Sequence, residues 1–384
     1  MKISEMIDLK SANEIRCIPD ATIYQIRKEN GFRAFLFRAP AGDDDGILRI
    51  SLRVPVLDIH GYWTPALASP VMALEWTIQL DCAAQKHFPF LIFVNRQGQS
   101  RCAISLDNLL DDIHITAELN QQESCYEVTI DVAVTSATGE FELRIDRRRQ
   151  AWTETLADAR QWLCPALPQF PAAAWAPVYC TWYAVHADFD LEWLEQAAEA
   201  AVDFGFGTFI VDDGWCLNER KRVNPETIAT WYERVGDWRV SDEKLPGFRE
   251  HIQRARQRGL NYMLWVAPFL IGDRSAIGRD GNMRTLGDPR EGCRILDRED
   301  ESSAAKIIDS IAGLMELGLD GLKVDFLDAV PVSTRSPRGP AVLAFMEELT
   351  RRIRARRPDA LIEYRQHYCS PHTLPLATQF RAID

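Results

Sequence analysis

The sequence predicts an all-β sandwich followed by an α/β domain of the (β/α)8 TIM-barrel type. Apolar and polar residues alternate with period two from about residue 20 to about residue 147, as antiparallel strands require. Four prolines between residues 165 and 177 mark a linker, and beyond them strands and helices alternate. We therefore assign 1–150 to the sandwich, 151–174 to a helical and proline-rich linker, and 175–384 to the barrel.

The alternation in the first domain is clearest where Leu48, Ile50 and Leu52 are separated by polar residues. Similar runs recur at ALEWTIQL, FPFLIFV, DIHITAEL, YEVTIDVAV and EFELRID. Repeated short strands of this kind predict an antiparallel sandwich. The segment WTETLADARQWL, which follows them, has the spacing of a helix.

The second domain has six strand candidates: APVYCTWY, GTFIVDDGW, LNYMLWVAP, GLKVDFLDA, ALIEYRQ and TQFRAID. Helix candidates separate them: DLEWLEQAAEAAVDFG, PGFREHIQRARQRG, DESSAAKIIDSIAGLMELG and GPAVLAFMEELTRRIRARRP. This order predicts a parallel sheet, either open and doubly wound or closed into a barrel. No GxGxxG or GxxxxGK[ST] motif follows the first strand, which favours the barrel. Six strands do not close an eight-stranded barrel, so we expect about two more βα units beyond Asp384.

Composition limits the partners. A formal net charge of -12 argues against a nucleic-acid partner, which requires concentrated basic residues, and favours a neutral small molecule. The first residues lack the pattern of a secretory leader, and no apolar stretch is long enough to span a membrane. The nine cysteines show no metal or redox spacing and are interpreted as reduced thiols. We expect a cytoplasmic protein with no membrane partner, and a homo-oligomer is compatible with these features.

Charged and aromatic residues collect at the predicted carboxyl ends of the six strands, where barrels hold their catalytic groups. They are Trp182, Tyr183, Asp212, Asp213, Trp215, Trp265, Lys323, Asp325, Glu363, Arg365, Arg381 and Asp384. Structural explanations remain open for them: an Asp-Gly turn, core packing of the tryptophans, or an ion pair between Lys323 and Asp325. Their coincidence on one rim nevertheless favours a binding site.

The chemistry of this rim suits a neutral sugar. Carboxylates and cationic donors bind vicinal hydroxyls, and indole faces stack on the apolar side of a sugar ring. Two carboxyl groups that face one glycosidic bond can serve as nucleophile and general acid. Asp325 and Asp384, on the fourth and sixth strands, are placed to meet across the rim.

Several motifs together resemble the retaining α-galactosidases of glycoside hydrolase clan D, most closely those of family 36. These motifs are YCTWY, FIVDDGW, GDWRVSDEKLPGFREHIQRARQRGLNYMLWVAPF, CRILDRED, LKVDFLDA and TQFRAID, within about residues 175–384. The resemblance implies a β-sandwich before a (β/α)8 barrel, hydrolysis of α-galactosides through a covalent glycosyl-enzyme, and no metal or other cofactor.

The resemblance also implies roles for individual residues. Asp325 matches the nucleophile and Asp384 the acid/base, although the interval in RAID is one residue shorter than in some members. The substrate-binding residues predicted from the motifs and the rim are Asp212, Asp213, Lys323, Trp182, Trp215, Trp265, Arg365, Arg381 and Glu363. Asp212 and Asp213 would hold O4 and O6 of galactose, and Trp182 and Trp265 would wall the pocket.

Other functions stay open. In a metal-dependent lyase of the enolase type, Asp212, Asp325 and Glu363 would bind magnesium and Lys323 would be the base. A non-catalytic sugar-binding module on an incomplete barrel is a third hypothesis. Within the clan, action on N-acetylgalactosaminides and galactosyl transfer are alternatives to galactoside hydrolysis.

Overall fold

The structure is a computed structural model that describes residues 16–18, 22–38, 46–66, 71–134, 140–164, 166, 169–331, 338–365 and 370–381. Its described residues form two compact units, one within Met1–Leu167 and one from Pro168 onward. Two short later segments, within Pro337–Pro340 and Cys369–His372, group with the first unit.

In its described residues, the first unit consists of antiparallel strands and one helix, α1 (Trp152–Leu163). Its strands are β1 (Arg16–Ile18), β2 (Thr22–Glu29), β3 (Phe32–Arg38), β4 (Gly46–Pro55), β5 (Gly61–Trp63), β6 (Met72–Ala73), β7 (Thr77–Cys82), β8 (Phe90–Val94), β9 (Ser100–Leu106), β10 (Ile113–Asn120), β11 (Cys125–Val134) and β12 (Glu140–Asp146). They form one sheet in the order β1-β4-β11-β10-β7 and a second in the order β2-β3-β12-β9-β8-β5-β6.

The two sheets share one core, which confirms the predicted sandwich. Ile50 and Leu52 of β4 are buried in the same cluster as Phe35 and Phe37 of β3. The residues that alternate with them along β4 are more exposed. Burial of alternate residues is the expected outcome of a period-two sequence. Strand β8 is an exception because α1 covers its second face, so all five of its residues are buried.

In its described residues, the second unit contains nine strands, five α-helices and three short 3-10 helices. The strands are β13 (Val178–Cys180), β14 (Thr208–Val211), β15 (Asn261–Val266), β16 (Leu270–Gly272), β17 (Thr285–Arg290), β18 (Cys293–Leu296), β19 (Gly321–Val324), β20 (Leu361–Arg365) and β21 (Gln379–Arg381). The helices are α2 (Trp182–Val185), α3 (Leu191–Asp203), α4 (Phe248–Gln257), α5 (Glu301–Gly313) and α6 (Arg338–Arg356).

Six of these strands form one parallel sheet in the order β13-β14-β15-β19-β20-β21. The order follows the sequence without a reversal, as in the first part of a (β/α)8 barrel. All residues of β14 and β19 are buried, in keeping with a sheet that is covered on both faces. The predicted fold class is therefore confirmed.

Two of the predicted helices begin at aspartates that cap them. The Asp190 side chain accepts a hydrogen bond from the Trp193 amide at 2.9 Å and starts α3. Asp300 does the same for α5 through the Ser303 amide, at 2.8 Å. These N-caps satisfy donors that have no partner within the helix.

Two local features differ from the expectation. The predicted strand APVYCTWY ends at Cys180, and residues from Trp182 form the helical turn α2, because the Thr181 carbonyl accepts the Ala184 amide at 3.1 Å. The antiparallel sheet β16-β18-β17 was not predicted, since its short strands lack a clear apolar period. Within the described residues, no helix is both long and apolar enough to cross a bilayer.

Candidate active site

A buried ion pair joins the second and fourth parallel strands at their carboxyl ends. Lys323 is the third residue of β19, and Asp212 directly follows β14. The Lys323 Nζ contacts Asp212 Oδ2, and neither side chain is more than 3% exposed. Burial opposes the ammonium charge of Lys323, but the carboxylates of Asp212 and Asp325 outweigh it and raise the pKa of Lys323. The two side chains therefore form a contact within the rim that solvent does not reach.

Cys180, the last residue of β13, completes this cluster. Its Sγ donates to Asp212 Oδ2 at 3.1 Å and lies 3.8 Å from Lys323 Nζ. Burial, reinforced by the Asp212 charge, raises the pKa of the Cys180 thiol to about 12, so the sulfur stays protonated. Sequence reasoning missed Cys180 because a cysteine without a partner motif is interpreted as a packed thiol.

Asp325 lies one residue beyond β19 and is held from three sides. The Trp265 indole N–H donates to its Oδ2 at 2.8 Å, Arg365 Nη1 lies 3.4 Å from the same oxygen, and the Phe326 amide donates to Oδ1 at 2.8 Å. Burial raises the pKa of Asp325, while Arg365, Lys323 and the Trp265 bond oppose this change. The donors thus favour the ionised carboxylate against the low polarity around it.

The backbone beside Asp325 is strained. Phe326 has φ 54, a left-handed conformation that a bulky residue rarely adopts. Such a conformation persists only where surrounding contacts impose it, and it is concentrated at functional sites. Here it directly follows Asp325, which the resemblance predicts to be the nucleophile.

Glu363 and Arg381 extend the charged rim across the last two described strands. Arg381 Nε lies 3.2 Å from Glu363 Oε1, and Glu363 pairs in register with Lys323. Burial raises the pKa of Glu363, against the opposing effect of Arg381, Lys323 and Arg365. Each of the three acids Asp212, Asp325 and Glu363 therefore faces a cationic side chain.

Asp213 has a different environment from Asp212. The Trp231 indole N–H donates to Asp213 Oδ2 at 2.6 Å, whereas its Oδ1 accepts no hydrogen bond of good geometry in the described part of the chain. Burial raises the pKa of Asp213 to about 7, Trp231 opposes this change, and Asp212 adds to it. Trp231 was not predicted; its one signal is an indole in the loop that follows DDGW.

The turn after Asp213 requires glycine. Gly214 has φ 108, and a Cβ placed on it would lie 2.4 Å from the Ala187 Cβ. Both the backbone conformation and the close approach exclude other residues.

The three predicted tryptophans occupy different positions. Trp182 is partly buried and packs edge to face on Trp231, with ring centroids 5.8 Å apart. Trp265 is buried and bonded to Asp325. Trp215 was expected at the rim, but it is fully buried in the core and donates its indole N–H to the Trp265 carbonyl at 2.8 Å. Its bond to a backbone carbonyl in the core favours a structural role, and its predicted part in sugar binding stays a prediction.

Of the remaining predicted residues, Tyr183 lies on the turn α2 with 63% of its surface exposed. Asp384, the predicted acid/base, lies outside the described residues, which end at Arg381.

Among the described residues, no group of three or more His, Cys, Asp or Glu side chains is arranged to hold a metal ion.

Comparisons with known proteins find relatives of the barrel segment. Residues 169–327 match the model of the Melibiase family. The chain is 30% identical over 113 residues to an α-galactosidase of Escherichia coli, covering 29% of this chain and 15% of the relative. It is 27% identical over 195 residues to the bifunctional α-galactosidase/sucrose kinase AgaSK of Mediterraneibacter gnavus, covering 48% and 20%.

Solved structures show the same fold. The GH36 α-galactosidase AgaA A355E of Geobacillus stearothermophilus, in complex with 1-deoxygalactonojirimycin, matches with a TM-score of 0.63 and 16% identity, over 91% of this chain and 54% of that one. A further AgaA variant was solved with raffinose. The chain thus spans about half the length of AgaA. The expected resemblance is confirmed: this chain is similar to the family 36 α-galactosidases and has the fold of their sandwich and barrel.

Proposed function

We propose that the protein is a retaining α-galactosidase that removes terminal α-galactosyl residues from oligosaccharides or glycosides. The observation that carries the proposal is Asp325, a buried carboxylate at the end of β19 that is bonded to Trp265 and Arg365. It stands beside the Lys323–Asp212 pair, which supplies donors and acceptors for hydroxyls. The binding of raffinose to an AgaA variant supports the same substrate class here.

In the proposed reaction, Asp325 attacks the anomeric carbon while Asp384 protonates the departing glycosidic oxygen. The carbon–oxygen bond to the leaving group breaks as the bond to Asp325 forms, which gives a covalent glycosyl-enzyme. Asp384 then takes a proton from water, and the water oxygen displaces Asp325 with net retention. Trp265 and Arg365 stabilise the charge that returns to Asp325.

We assign sugar binding to the residues around this carboxylate. Asp212 and Lys323 would contact ring hydroxyls, Asp213 would accept a further one, and Trp182 and Trp265 would wall the ring. Arg365, Glu363 and Arg381 lie on the same rim and would orient the two catalytic carboxyl groups. We also propose a cytoplasmic location, which the free thiols of the described cysteines support.

The lyase alternative has less support. Magnesium would need carboxylates that are available to the ion, but Asp212, Asp325 and Glu363 each face a lysine or an arginine. A sugar-binding module without catalysis remains the sharper rival, because it would use the same rim. Hydrolysis that depends on Asp325 separates the two.

The test uses the full-length protein and a panel of aryl α-glycosides. Asp325→Asn and Asp325→Gly should abolish turnover of the α-galactoside, and azide should restore it to the glycine variant by taking the place of the carboxylate. Asp328→Asn is the matched control, because Asp328 is a partly buried acid three residues further on. Full activity in Asp325→Asn would overturn the assignment, and galactose binding without hydrolysis by the unaltered protein would favour the binding module.

A further inference from the structure

The two adjacent acids of the DDGW motif differ in how many acceptor positions they leave open. Asp212 Oδ1 accepts the Asp213 amide at 2.9 Å, and its Oδ2 is shared by Lys323 and Cys180. Asp213 Oδ2 accepts Trp231, whereas its buried Oδ1 accepts no hydrogen bond of good geometry among the described residues. The Gly214 amide also interacts with this carboxyl and lowers its pKa. A buried carboxylate oxygen without a partner is costly, so a donor from outside the chain would be strongly favoured there.

Trp231 is itself fixed in place. It is 1% exposed, and the Lys221 Nζ donates to its carbonyl at 3.1 Å and lies 4.5 Å from its ring centroid. Lys244 fixes the start of the same loop by donating to the Gly214 carbonyl at 2.7 Å. These contacts hold the indole N–H, and with it the orientation of the Asp213 carboxylate.

We propose that Trp231 is a positioning residue that presents Asp213 Oδ1 as the acceptor for one sugar hydroxyl and thereby determines which sugar the site accepts. The proposal rests on the function proposed above for the nature of the ligand. A sugar without a hydroxyl at the position facing Oδ1 would leave this oxygen unpaired. Such a mismatch discriminates between sugars more strongly than a missing apolar contact does.

The proposal requires Asp213 to be ionised when the sugar binds. The charged or titratable groups around it are Asp212, Cys216, Lys221, Tyr232 and Lys244. Burial holds the pKa of Asp213 near 7 and the Trp231 bond lowers it, so loss of that bond would raise the pKa further. Sugar affinity should then increase with pH, and Trp231→Phe should shift this increase to higher pH.

The first experiment measures the Asp213–Trp231 contact without any sugar. In the protein labelled with ¹⁵N at tryptophan, one indole N–H resonance should titrate with a midpoint near pH 7, disappear in Trp231→Phe, and lose its titration in Asp213→Asn. Trp238→Phe is the matched control: Trp238 is a buried tryptophan of the same loop whose indole N–H has no partner in the described residues. A Trp231 resonance that does not respond to Asp213→Asn would overturn the contact.

The second experiment measures galactose affinity by calorimetry. Trp231→Phe should weaken binding about tenfold at pH 7, and raising the pH should restore part of it. Asp213→Asn should weaken binding at least as much, without recovery at high pH, and the double variant should bind no worse than Asp213→Asn alone. Unchanged affinity in Trp231→Phe would overturn the positioning role while leaving the proposed function intact. If the unaltered protein neither binds galactose nor hydrolyses α-galactosides, the proposed function fails together with the sugar role, and the indole titration still decides the contact.

Discussion

The Lys323–Asp212 pair offers a direct test of how the rim is stabilised. Lys323→Met keeps the length of the side chain and removes its charge, which leaves Asp212 buried opposite no ammonium group. Because neither partner is more than 3% exposed, solvent cannot compensate for the loss. We expect the variant to fold with markedly lower stability of the barrel unit.

The magnitude follows from the geometry. Opposite charges roughly 3 Å apart attract by about 5 kcal/mol at an effective dielectric constant of about 20. Breaking a buried pair at one partner costs about 3 to 5 kcal/mol in measured cases. Adding Asp212→Asn removes the unpaired charge, so the double variant should recover roughly half of the lost free energy of unfolding.

Urea unfolding followed by tryptophan fluorescence measures these changes. Arg352→Met is the matched control, because Arg352 forms exposed pairs with Asp309 and Glu348 in the same unit and should contribute little. The reasoning would be refuted if Lys323→Met cost less than about 1 kcal/mol, or if the effects of Lys323→Met and Asp212→Asn were additive.

Two further outcomes follow from the raised pKa values. Asp213 has a pKa of about 7 in the folded protein, against an ordinary value of 3.8. Between these two values the folded protein keeps a proton that the unfolded chain releases. The free energy of unfolding should therefore fall by up to about 4 kcal/mol from about pH 4 to about pH 7. Asp213→Asn should remove this decline in urea unfolding, and an unchanged decline would contradict the assignment. Cys180, whose thiol pKa is about 12, should resist iodoacetamide at pH 8 until denaturant is added. Its rapid alkylation in the folded protein, detected by mass spectrometry, would contradict a protonated thiol bonded to Asp212.

The fold could be predicted because its signals are local. Alternate burial in β4 is visible as alternate apolar letters, and Asp190 and Asp300 mark their helices by capping them. Strand order in the parallel sheet follows from chain order once the barrel is chosen. The sequence reading failed at Trp182, because a helical turn and a strand end are equally compatible with the letters CTWYAV.

The partners within the site could not be predicted, because they depend on distances between strands. From the sequence, an ion pair between Lys323 and Asp325, two residues apart on the same strand face, stayed open as the structural alternative to roles in a site. The structure instead pairs Lys323 with Asp212 and Asp325 with Arg365, each on a different element. Parallel strands lie side by side in register, so a charged residue on one strand meets its complement on another.

Trp215 and Trp231 show the same limit for aromatic residues. Both are fully buried tryptophans near the DDGW turn, and composition cannot distinguish them. The partners of their indole N–H groups distinguish them. Trp215 donates to a backbone carbonyl and stabilises the fold, whereas Trp231 donates to the carboxylate of Asp213. Because a backbone carbonyl serves the fold and a carboxylate can also bind a ligand, replacing Trp215 should alter stability, and replacing Trp231 should alter the sugar recognition proposed above.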